Sequence, residues 1–245
     1  MIIKQKKDIS SIFYHKRQVF VVFDPQHYAP LVEIFDLDTR KWTKLPAMYR
    51  KLENVRTVVV GNKLYSIGTK NNETTEIEIL DFGTKQWRKG QQLNGYSGNP
   101  KAVVNGKYIY VVNQHTRPSP NNCVERYDTE QDIWETVAPM LTDKDTFELT
   151  AHNGKIYVAG EVIPINGEVT RTMEVYDPDT DTWTELTPKY QPKYIKSLVS
   201  THEGIYAVAA GLHLYNVEKN EWKLVNNKII GWGLSCAIPV SPYVN

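Results

Sequence analysis

The chain has 245 residues with 29 basic and 28 acidic side chains, which gives a formal net charge of +1. So balanced a charge provides no global field for nucleic acid or for an anionic membrane. Its two cysteines, Cys123 and Cys236, are too few for a disulfide framework or a thiolate metal site. We therefore expect a cytoplasmic protein with one all-β domain.

The chain opens with a charged segment, "MIIKQKKD", which is too short and too polar for the apolar core of a signal peptide. We expect residues 1–17 to be a linker or N-terminal extension and residues 18–245 to form the folded domain. The domain begins with "VFVVF", an apolar stretch typical of a buried strand that contains Phe20. Four later stretches repeat this pattern, with an aromatic residue at the same point: Tyr65, Tyr110, Tyr157 and Tyr206.

A tryptophan follows each of these stretches. The five are Trp42, Trp87, Trp134, Trp183 and Trp222, separated by 45, 47, 49 and 39 residues. Nine residues before each tryptophan lie Glu33, Glu78, Glu125, Glu174 and His213. Seven residues before lie Phe35, Leu80, Tyr127, Tyr176 and Tyr215. Six residues before lie Asp36, Asp81, Asp128, Asp177 and Asn216. A recurring spacing close to this length is typical of four-stranded propeller blades.

Each repeat contains four predicted strands, which we call a to d. Asn/Gly turns before the strand-b aromatics indicate a/b hairpins, strand c ends in the aromatic and Asp, and strand d carries the tryptophan. The distance from each tryptophan to the next strand-b aromatic is constant at 23 residues, so all variation in length lies in the b/c loops. In an up-and-down sheet these loops share one end with the d/a connections. We therefore predict variable loops at one end of every blade, tryptophans packed between blades, and Asp residues that accept N–H bonds in the c/d turns.

Five tryptophans predict five blades, with a sixth as the alternative. Strand a of the first blade has two candidates. Residues 236–240 could close a ring from the C-terminus, where Pro239 would be tolerated on an edge strand, and Ile12–Tyr14 lie at the right offset from Phe20. We favour closure by the C-terminal strand.

The strand-b aromatic, the "vE-x-[FY]-D" sequence and the tryptophan that follows resemble the Kelch repeat over residues 18–240. One departure is that no repeat keeps both glycines that usually end strand b. The stretch "RQVFVVFD…VEIFDLDTRKW" resembles the start of the propeller in BTB-BACK-Kelch proteins. In that family the BTB and BACK domains bind cullin-3, and the Kelch domain holds the protein to be ubiquitinated. The resemblance implies a substrate receptor that binds a protein or peptide client and needs no cofactor.

It also implies a binding site on the b/c loops and d/a connections. Polar and aromatic residues at these positions form the candidate site, because such residues supply binding hot spots. The candidates are His27, Tyr28, Asn71, Tyr96, His115, Arg117, Lys144, Glu161, Tyr194 and Trp232. Trp232 is of special interest because it lies outside the tryptophan repeat, although it could equally pack where the ring closes.

The sequence does not favour catalysis or metal binding. Its six histidines show no metal-ligand spacing, and no phosphate-binding glycine loop or nucleophile motif is present. We expect the repeated Glu residues to form hydrogen bonds inside their sheets, and His213 to be structural because it replaces one of them. The alternatives to a ubiquitin-ligase receptor are an actin-binding cytoskeletal module and, less favoured, a propeller enzyme. Neither nucleic acid nor a membrane is an expected partner.

Overall fold

The chain folds into five antiparallel sheets of four strands, the blades expected of a Kelch-type β-propeller. The computed structural model describes residues 8–15, 17–24, 31–50, 52–70, 74–93, 99–114, 122–164 and 167–227. Strands, turns and the irregular connections between them make up this part of the chain, and it contains no helix. The all-β prediction with five blades is therefore confirmed.

The chain divides into two compact units, of which the first comprises Met1–Pro100 and Ile238–Asn245. It contains blades 1 and 2. The strands of blade 1 are β1 (Asp8–His15), β2 (Gln18–Asp24), β3 (Leu31–Asp36) and β4 (Trp42–Lys44). The strands of blade 2 are β5 (Glu53–Val60), β6 (Lys63–Lys70), β7 (Thr74–Asp81) and β8 (Gln86–Lys89).

The second unit, Lys101–Ala237, holds blades 3 to 5, although the first strand of blade 3 begins just before it. Blade 3 consists of β9 (Asn99–Asn105), β10 (Tyr108–Gln114), β11 (Val124–Asp128) and β12 (Ile133–Val137). Blade 4 consists of β13 (Thr146–His152), β14 (Lys155–Val162), β15 (Thr170–Asp177) and β16 (Thr182–Leu186). Blade 5 consists of β17 (Ser197–Thr201), β18 (Gly204–Val208), β19 (Leu212–Asn216) and β20 (Glu221–Asn226).

In every blade the strands are hydrogen-bonded in chain order and the pairs are antiparallel. The a/b and c/d turns therefore lie at one end of each blade, and the b/c loop and d/a connection lie at the other, as predicted. We call these the turn end and the loop end.

The first strand of blade 1 differs from the arrangement that the sequence favoured. β1 pairs with β2 along its whole length, from Asp8 opposite Asp24 to His15 opposite Gln18. Residues 236–240 lie outside the described residues, but the edge of β2 that they were expected to occupy is taken by β1. The preference for C-terminal closure is therefore wrong, and the N-terminal alternative is the one observed. Blade 1 accordingly starts at Asp8, ahead of the predicted domain boundary at residue 18.

The repeated acidic residue closes the c/d turn, as predicted. The Asp36 carboxylate accepts the backbone N–H groups of Asp38 (3.1 Å) and Thr39 (2.7 Å). Asp81 accepts those of Gly83 and Thr84 in the same way. These donors favour the ionised form and lower the pKa of both carboxyl groups, that of Asp36 to about 2.

The c/d turns show a second pattern, which the sequence analysis missed. The residue two positions before each tryptophan has positive φ in all five blades: Arg40, Lys85, Asp132, Asp181 and Asn220. In the three blades whose strand c ends in tyrosine, this residue is Asp or Asn, and it accepts the phenolic hydroxyl of Tyr127, Tyr176 or Tyr215. Blades 1 and 2 have Phe35 and Leu80 instead and carry Arg40 and Lys85. The correlation between hydroxyl and acceptor is readable from the sequence.

The tryptophans do not share one environment. Trp87 and Trp183 are buried, and each indole N–H donates to a backbone carbonyl in the connection from the preceding blade, at Pro46 and Ala138 respectively, both at 2.7 Å. Trp222 is also buried, whereas Trp134 is half-buried. Trp42 is 53% exposed, so the prediction that every tryptophan packs between blades is wrong for blade 1. Among the described residues, no d/a connection precedes that blade to cover it.

A glycine near the end of strand b has a packing role in blades 2 and 4. A Cβ atom on Gly68 would lie 2.8 Å from the Cβ of Leu52, and one on Gly160 would lie 2.2 Å from the carbonyl oxygen of Thr146. Both neighbours belong to the chain entering strand a, so glycine allows strands a and b to approach closely at the loop end.

The two environments of the repeated tryptophan predict unequal effects of one substitution. We expect Trp183→Ala to lower the free energy of unfolding by about 3–5 kcal/mol, because it empties a buried site. Trp42→Ala should cost about 1 kcal/mol, because it removes mainly the ring contact with Phe35. Urea unfolding followed by circular dichroism measures both losses in the free energy of unfolding. Equal losses would contradict the prediction that the buried tryptophan stabilises the fold more than the exposed one.

The turn carboxylates predict acid sensitivity. A carboxyl group whose pKa is lower in the folded than in the unfolded chain stabilises the fold above its unfolded value, near pH 4, and this contribution is lost as the pH falls toward 2. We expect Asp36→Asn to flatten the loss of stability between about pH 4 and pH 2, because the amide oxygen still accepts the turn N–H groups, as Asn216 does from Lys219. Thermal unfolding across this range, with Asp179→Asn as a control of equal charge change, tests this. Identical pH profiles for the two variants would contradict it.

Candidate functional site

The d/a connections at the loop end are held by buried carboxylates of the following blade. Glu78 on β7 accepts the backbone N–H of Tyr49 at 2.8 Å, and Glu174 on β15 accepts those of Leu141 (2.7 Å) and Thr142 (3.1 Å). Both side chains belong to the repeated Glu position and are fully buried. The prediction that these residues form hydrogen bonds inside their own sheets is therefore wrong here, because their partners lie in the preceding connection.

Blade 4 adds a buried cation to this arrangement. The ammonium group of Lys144 contacts the carboxylate of Glu174 and the hydroxyl of Thr142, and both charged side chains have 0% exposure. Burial disfavours the charged form and lowers the pKa of Lys144, and the adjacent carboxylate opposes this shift. Lys144 was predicted to lie on an exposed binding rim. That prediction is wrong, because its side chain is buried and forms an internal ion pair.

Glu161 is also buried, at the end of β14. Its carboxylate lies 3.3 Å from the Nε atom of Arg171 and accepts the backbone N–H of Tyr194 at the same distance. The prediction of an exposed Glu161 is wrong for the same reason as for Lys144. The structure does bring Glu161 and Tyr194 together, and the side chain of Tyr194 is 65% exposed. Its role in binding stays a prediction.

The other seven candidate residues, His27, Tyr28, Asn71, Tyr96, His115, Arg117 and Trp232, lie outside the described residues. Their assignment to a partner-binding site remains a prediction from the sequence.

One recurring exposed position was missed by the sequence analysis. The residue seven positions after the tryptophan is Tyr49 in the connection to blade 2, Leu141 in the connection to blade 4 and Tyr190 in the connection to blade 5. Their side chains are 63%, 57% and 50% exposed, respectively. The offset from the tryptophan is constant, so the repeat could have identified this position. It was missed because an apolar residue type by itself suggests a buried side chain.

These residues belong to a wider pattern. Among the described residues, ten bulky apolar side chains are exposed, and six of them lie in d/a connections or b/c loops. The six are Tyr49, Leu141, Ile163, Val169, Tyr190 and Tyr194. The other four, Trp42, Ile133, Leu224 and Val225, lie on the outermost strand of their blades. The a/b and c/d turns in the described part of the chain expose none.

His213 occupies the repeated Glu position in blade 5 and is buried. Its Nδ1 atom has no hydrogen-bond partner, and its ring lies 5.8 Å from that of Tyr190. Burial lowers the pKa of His213 and so favours the neutral ring. In blade 5 the imidazole ring of His213 therefore packs against the d/a connection. At the same position in blades 2 and 4, Glu78 and Glu174 bind the connection by hydrogen bonds. This packing agrees with the structural role predicted for His213.

The described residues bring no three His, Cys, Asp or Glu side chains together in a way that could hold a metal ion. A bilayer-spanning helix is likewise not found within the ranges that the structure describes.

Comparisons with known proteins agree with the repeat and its geometry. Residues 146–189, which cover blade 4, match the Kelch motif. The chain is 35% identical over 89 residues to Kelch-like protein 40 from Xenopus laevis, which is 35% of this chain and 14% of that protein. It is 30% identical over 118 residues to an F-box/kelch-repeat protein from Arabidopsis thaliana, covering 48% and 30% of the two chains. It is 36% identical over 70 residues to Kelch-like protein 7 from Rattus norvegicus, covering 25% and 12%. The matched part is thus less than a third of each relative.

The buried ion pair in blade 4 predicts a strongly destabilising substitution. We expect Lys144→Met to lower the free energy of unfolding by about 3–5 kcal/mol, because it leaves the buried Glu174 charge without its cation. The double variant Lys144→Met, Glu174→Gln should lose less than the sum of the single variants, since the two groups interact directly. Urea titrations measure these losses, with exposed Lys189→Met as the control. A loss of stability for Lys144→Met no larger than that of the control would contradict a stabilising role for this ion pair.

Proposed function

We propose that this chain, a Kelch-repeat β-propeller, is a protein-interaction domain that binds a protein or peptide client at the loop ends of its blades. The observation that carries the proposal is the distribution of exposed apolar side chains. Tyrosine and leucine recur at one exposed position of the d/a connections, where they offer apolar contact area to a partner. Tyrosine in particular supplies large contact area with a polar end for hydrogen bonding.

The backbone beneath these side chains supports the same proposal. In the connections that enter blades 2 and 4, the residue that carries the exposed side chain donates its N–H to a buried carboxylate. A contact residue whose main chain is fixed before binding loses less conformational freedom when the partner arrives. The loop ends therefore combine exposed contact groups with a rigid base.

The charge of the described loop-end residues indicates a client of mixed character. Lys144 and Glu161 are internal and contribute no surface charge to binding. The exposed charges of the described d/a connections have both signs, for example at Asp143, Lys189 and Lys193. We therefore propose a site of apolar and aromatic contacts, with charged groups of both signs at its edge.

We further propose that the chain is the client-binding domain of a cullin-3 ubiquitin ligase. The resemblance of the first repeat to the start of the propeller in BTB-BACK-Kelch proteins supports it, as do the matches to two Kelch-like proteins. In this proposal the cullin-3 contact belongs to BTB and BACK domains, which this chain does not include, and the whole protein acts in the cytoplasm as a substrate receptor.

The match to an F-box/kelch-repeat protein shows that related repeats also occur with a different accompanying domain. An actin-binding module is the alternative, and co-sedimentation with filamentous actin distinguishes it.

A matched pair of variants tests the binding site. We expect Leu141→Ser, Tyr190→Ser and Tyr194→Ser, combined in one chain, to reduce capture of client proteins at least about tenfold, because hot-spot truncations cost more than 1 kcal/mol each. Affinity purification from cells with quantitative mass spectrometry measures the loss.

The control combines three polar substitutions at the turn end, Lys41→Ser, Gln131→Ser and Glu218→Ser, all at exposed positions. Circular dichroism confirms that both variants fold. An unchanged set of partners for the loop-end variant, or equal losses for both variants, would overturn the proposal.

A further inference from the structure

Blades 1 and 2 enclose a cavity of about 290 Å³ at the turn end, opposite to the loop ends proposed for client binding. Its apolar part is formed by Phe20, Ile34, Leu45 and Phe82, all within the first unit of the chain. Gln18 and Lys85 contribute its polar part, together with threonines of the β3–β4 turn and β4. Lys85 and these threonines are exposed, so the cavity opens to solvent. Its volume lies at the lower end of the range for ligand sites and suits one ring with a small substituent.

Around the cavity, blade 1 carries shorter side chains than blade 3 at equivalent positions. Gln18 pairs with Asp36 across β2 and β3, as Tyr108 pairs with Asp128 across β10 and β11. Gln18 therefore occupies the position of a tyrosine.

The same comparison holds on strands c and d. Ile34 lies opposite Thr43 in blade 1, and Arg126 lies opposite Glu135 in blade 3. In each case the residue in blade 1 is the smaller one.

In blade 3 the larger side chains fill this region. The ring of Tyr108 lies 6.3 Å from that of Tyr110, the strand-b aromatic, and the guanidinium of Arg126 lies 4.7 Å from the centre of the Tyr108 ring. Arg126 is in turn paired with Glu135 at 2.7 Å. The corresponding region of blade 1 has the strand-b aromatic Phe20, with Phe82 at 4.6 Å, but no ring at the Gln18 position.

The rim of the cavity carries charges of both signs. Asp36 lies on one side, with its carboxylate already accepting the Gln18 amide and three donors from the turn, and Lys85 lies on the other. A ligand of either charge is attracted by one of these groups and repelled by the other, so the rim gives no preference for a net charge. A phenol is uncharged at neutral pH, its ring matches the aromatic floor, and its hydroxyl both donates and accepts hydrogen bonds at the polar rim.

We propose that this cavity is a second binding site, specific for a phenolic ring that takes the place of Tyr108 in blade 3. The ring packs against Phe20 and Phe82, and the hydroxyl points to the rim formed by Lys85 and the threonine hydroxyls. The phenol can be supplied by a tyrosine side chain of a bound peptide or by a free small molecule, since both present the same group.

The probe for the test is 4-methylphenol, the tyrosine side chain as a free molecule. Chemical-shift titration of the whole chain measures its affinity, and we expect saturable binding with a Kd of roughly millimolar order, in keeping with the small size of the probe. Gln18→Tyr restores the residue of blade 3 and fills the cavity, so it should weaken binding at least about tenfold. Thr43→Phe narrows the opening from an exposed position and should do the same, which keeps the test valid if Gln18→Tyr does not fold.

Lys63→Tyr is the matched control, because Lys63 occupies the same position in blade 2, opposite Asp81, and does not line the cavity. It should bind the probe as the unmodified chain does. Absence of saturable binding to the unmodified chain, or unchanged binding in a folded Gln18→Tyr or Thr43→Phe variant, would overturn the proposal.

A second titration distinguishes the two sources of the phenol. A short peptide, acetyl-Gly-Tyr-Gly-amide, that binds at least as tightly as 4-methylphenol and competes with it supports a tyrosine from a partner. Failure of the peptide to bind, with 4-methylphenol still bound, supports a free phenolic molecule.

Discussion

The interaction on which the rest of the structure depends is the attachment of each irregular d/a connection to the blade that follows it. In blades 2 and 4 this attachment has two parts. A tryptophan indole donates to a carbonyl early in the connection, and a buried glutamate accepts N–H groups a few residues later. Buried backbone groups in an irregular segment need partners, and here the next blade provides them. The next blade therefore holds the backbone of each of these connections at two points.

This attachment links the scaffold to the proposed function. The exposed residues Tyr49 and Leu141 follow the tryptophan at a fixed offset, and their own N–H groups are those that the glutamates bind. The same short segment therefore contains backbone groups that are bonded to the next blade and side chains that are exposed to solvent. Change of the exposed side chain leaves the glutamate contact in place, so that a blade of constant architecture can carry different contact groups.

Much of this could be read from the sequence. The recurring tryptophans predicted five blades, and the Asp positions predicted the turn bonds, because both depend on residues close in the chain or on a recurring pattern. Three features could not be predicted. The partner of Glu174 is the backbone of an irregular segment some thirty residues upstream, and side-chain types do not show which N–H groups it binds. Lys144 is a residue type usually found at the surface, and only the fold places that carboxylate beside it. The choice of β1 over residues 236–240 was also open, because both segments have apolar residues at a suitable offset.

The repeats differ most where their side chains are least constrained by the pattern. Tyrosine on strand c is accompanied by Asp or Asn in the turn, and around the cavity blade 1 carries shorter residues than blade 3. The tyrosine and its acceptor belong to one c/d turn, so that substitution is confined to a single blade. The blades therefore differ through departures from the repeat, while the repeated Glu and Trp residues of blades 2 and 4 hold the connections between sheets.

Amide hydrogen exchange tests the central interaction most directly. The N–H groups of Tyr49, Leu141 and Thr142 lie outside regular strands, and loop amides of this kind normally exchange rapidly. If the buried glutamates fix these connections, the three amides exchange as slowly as those of the adjoining strands, and Glu174→Gln accelerates exchange at Leu141 and Thr142 but not at Tyr49. Rapid exchange of all three amides in the unmodified chain would contradict the account.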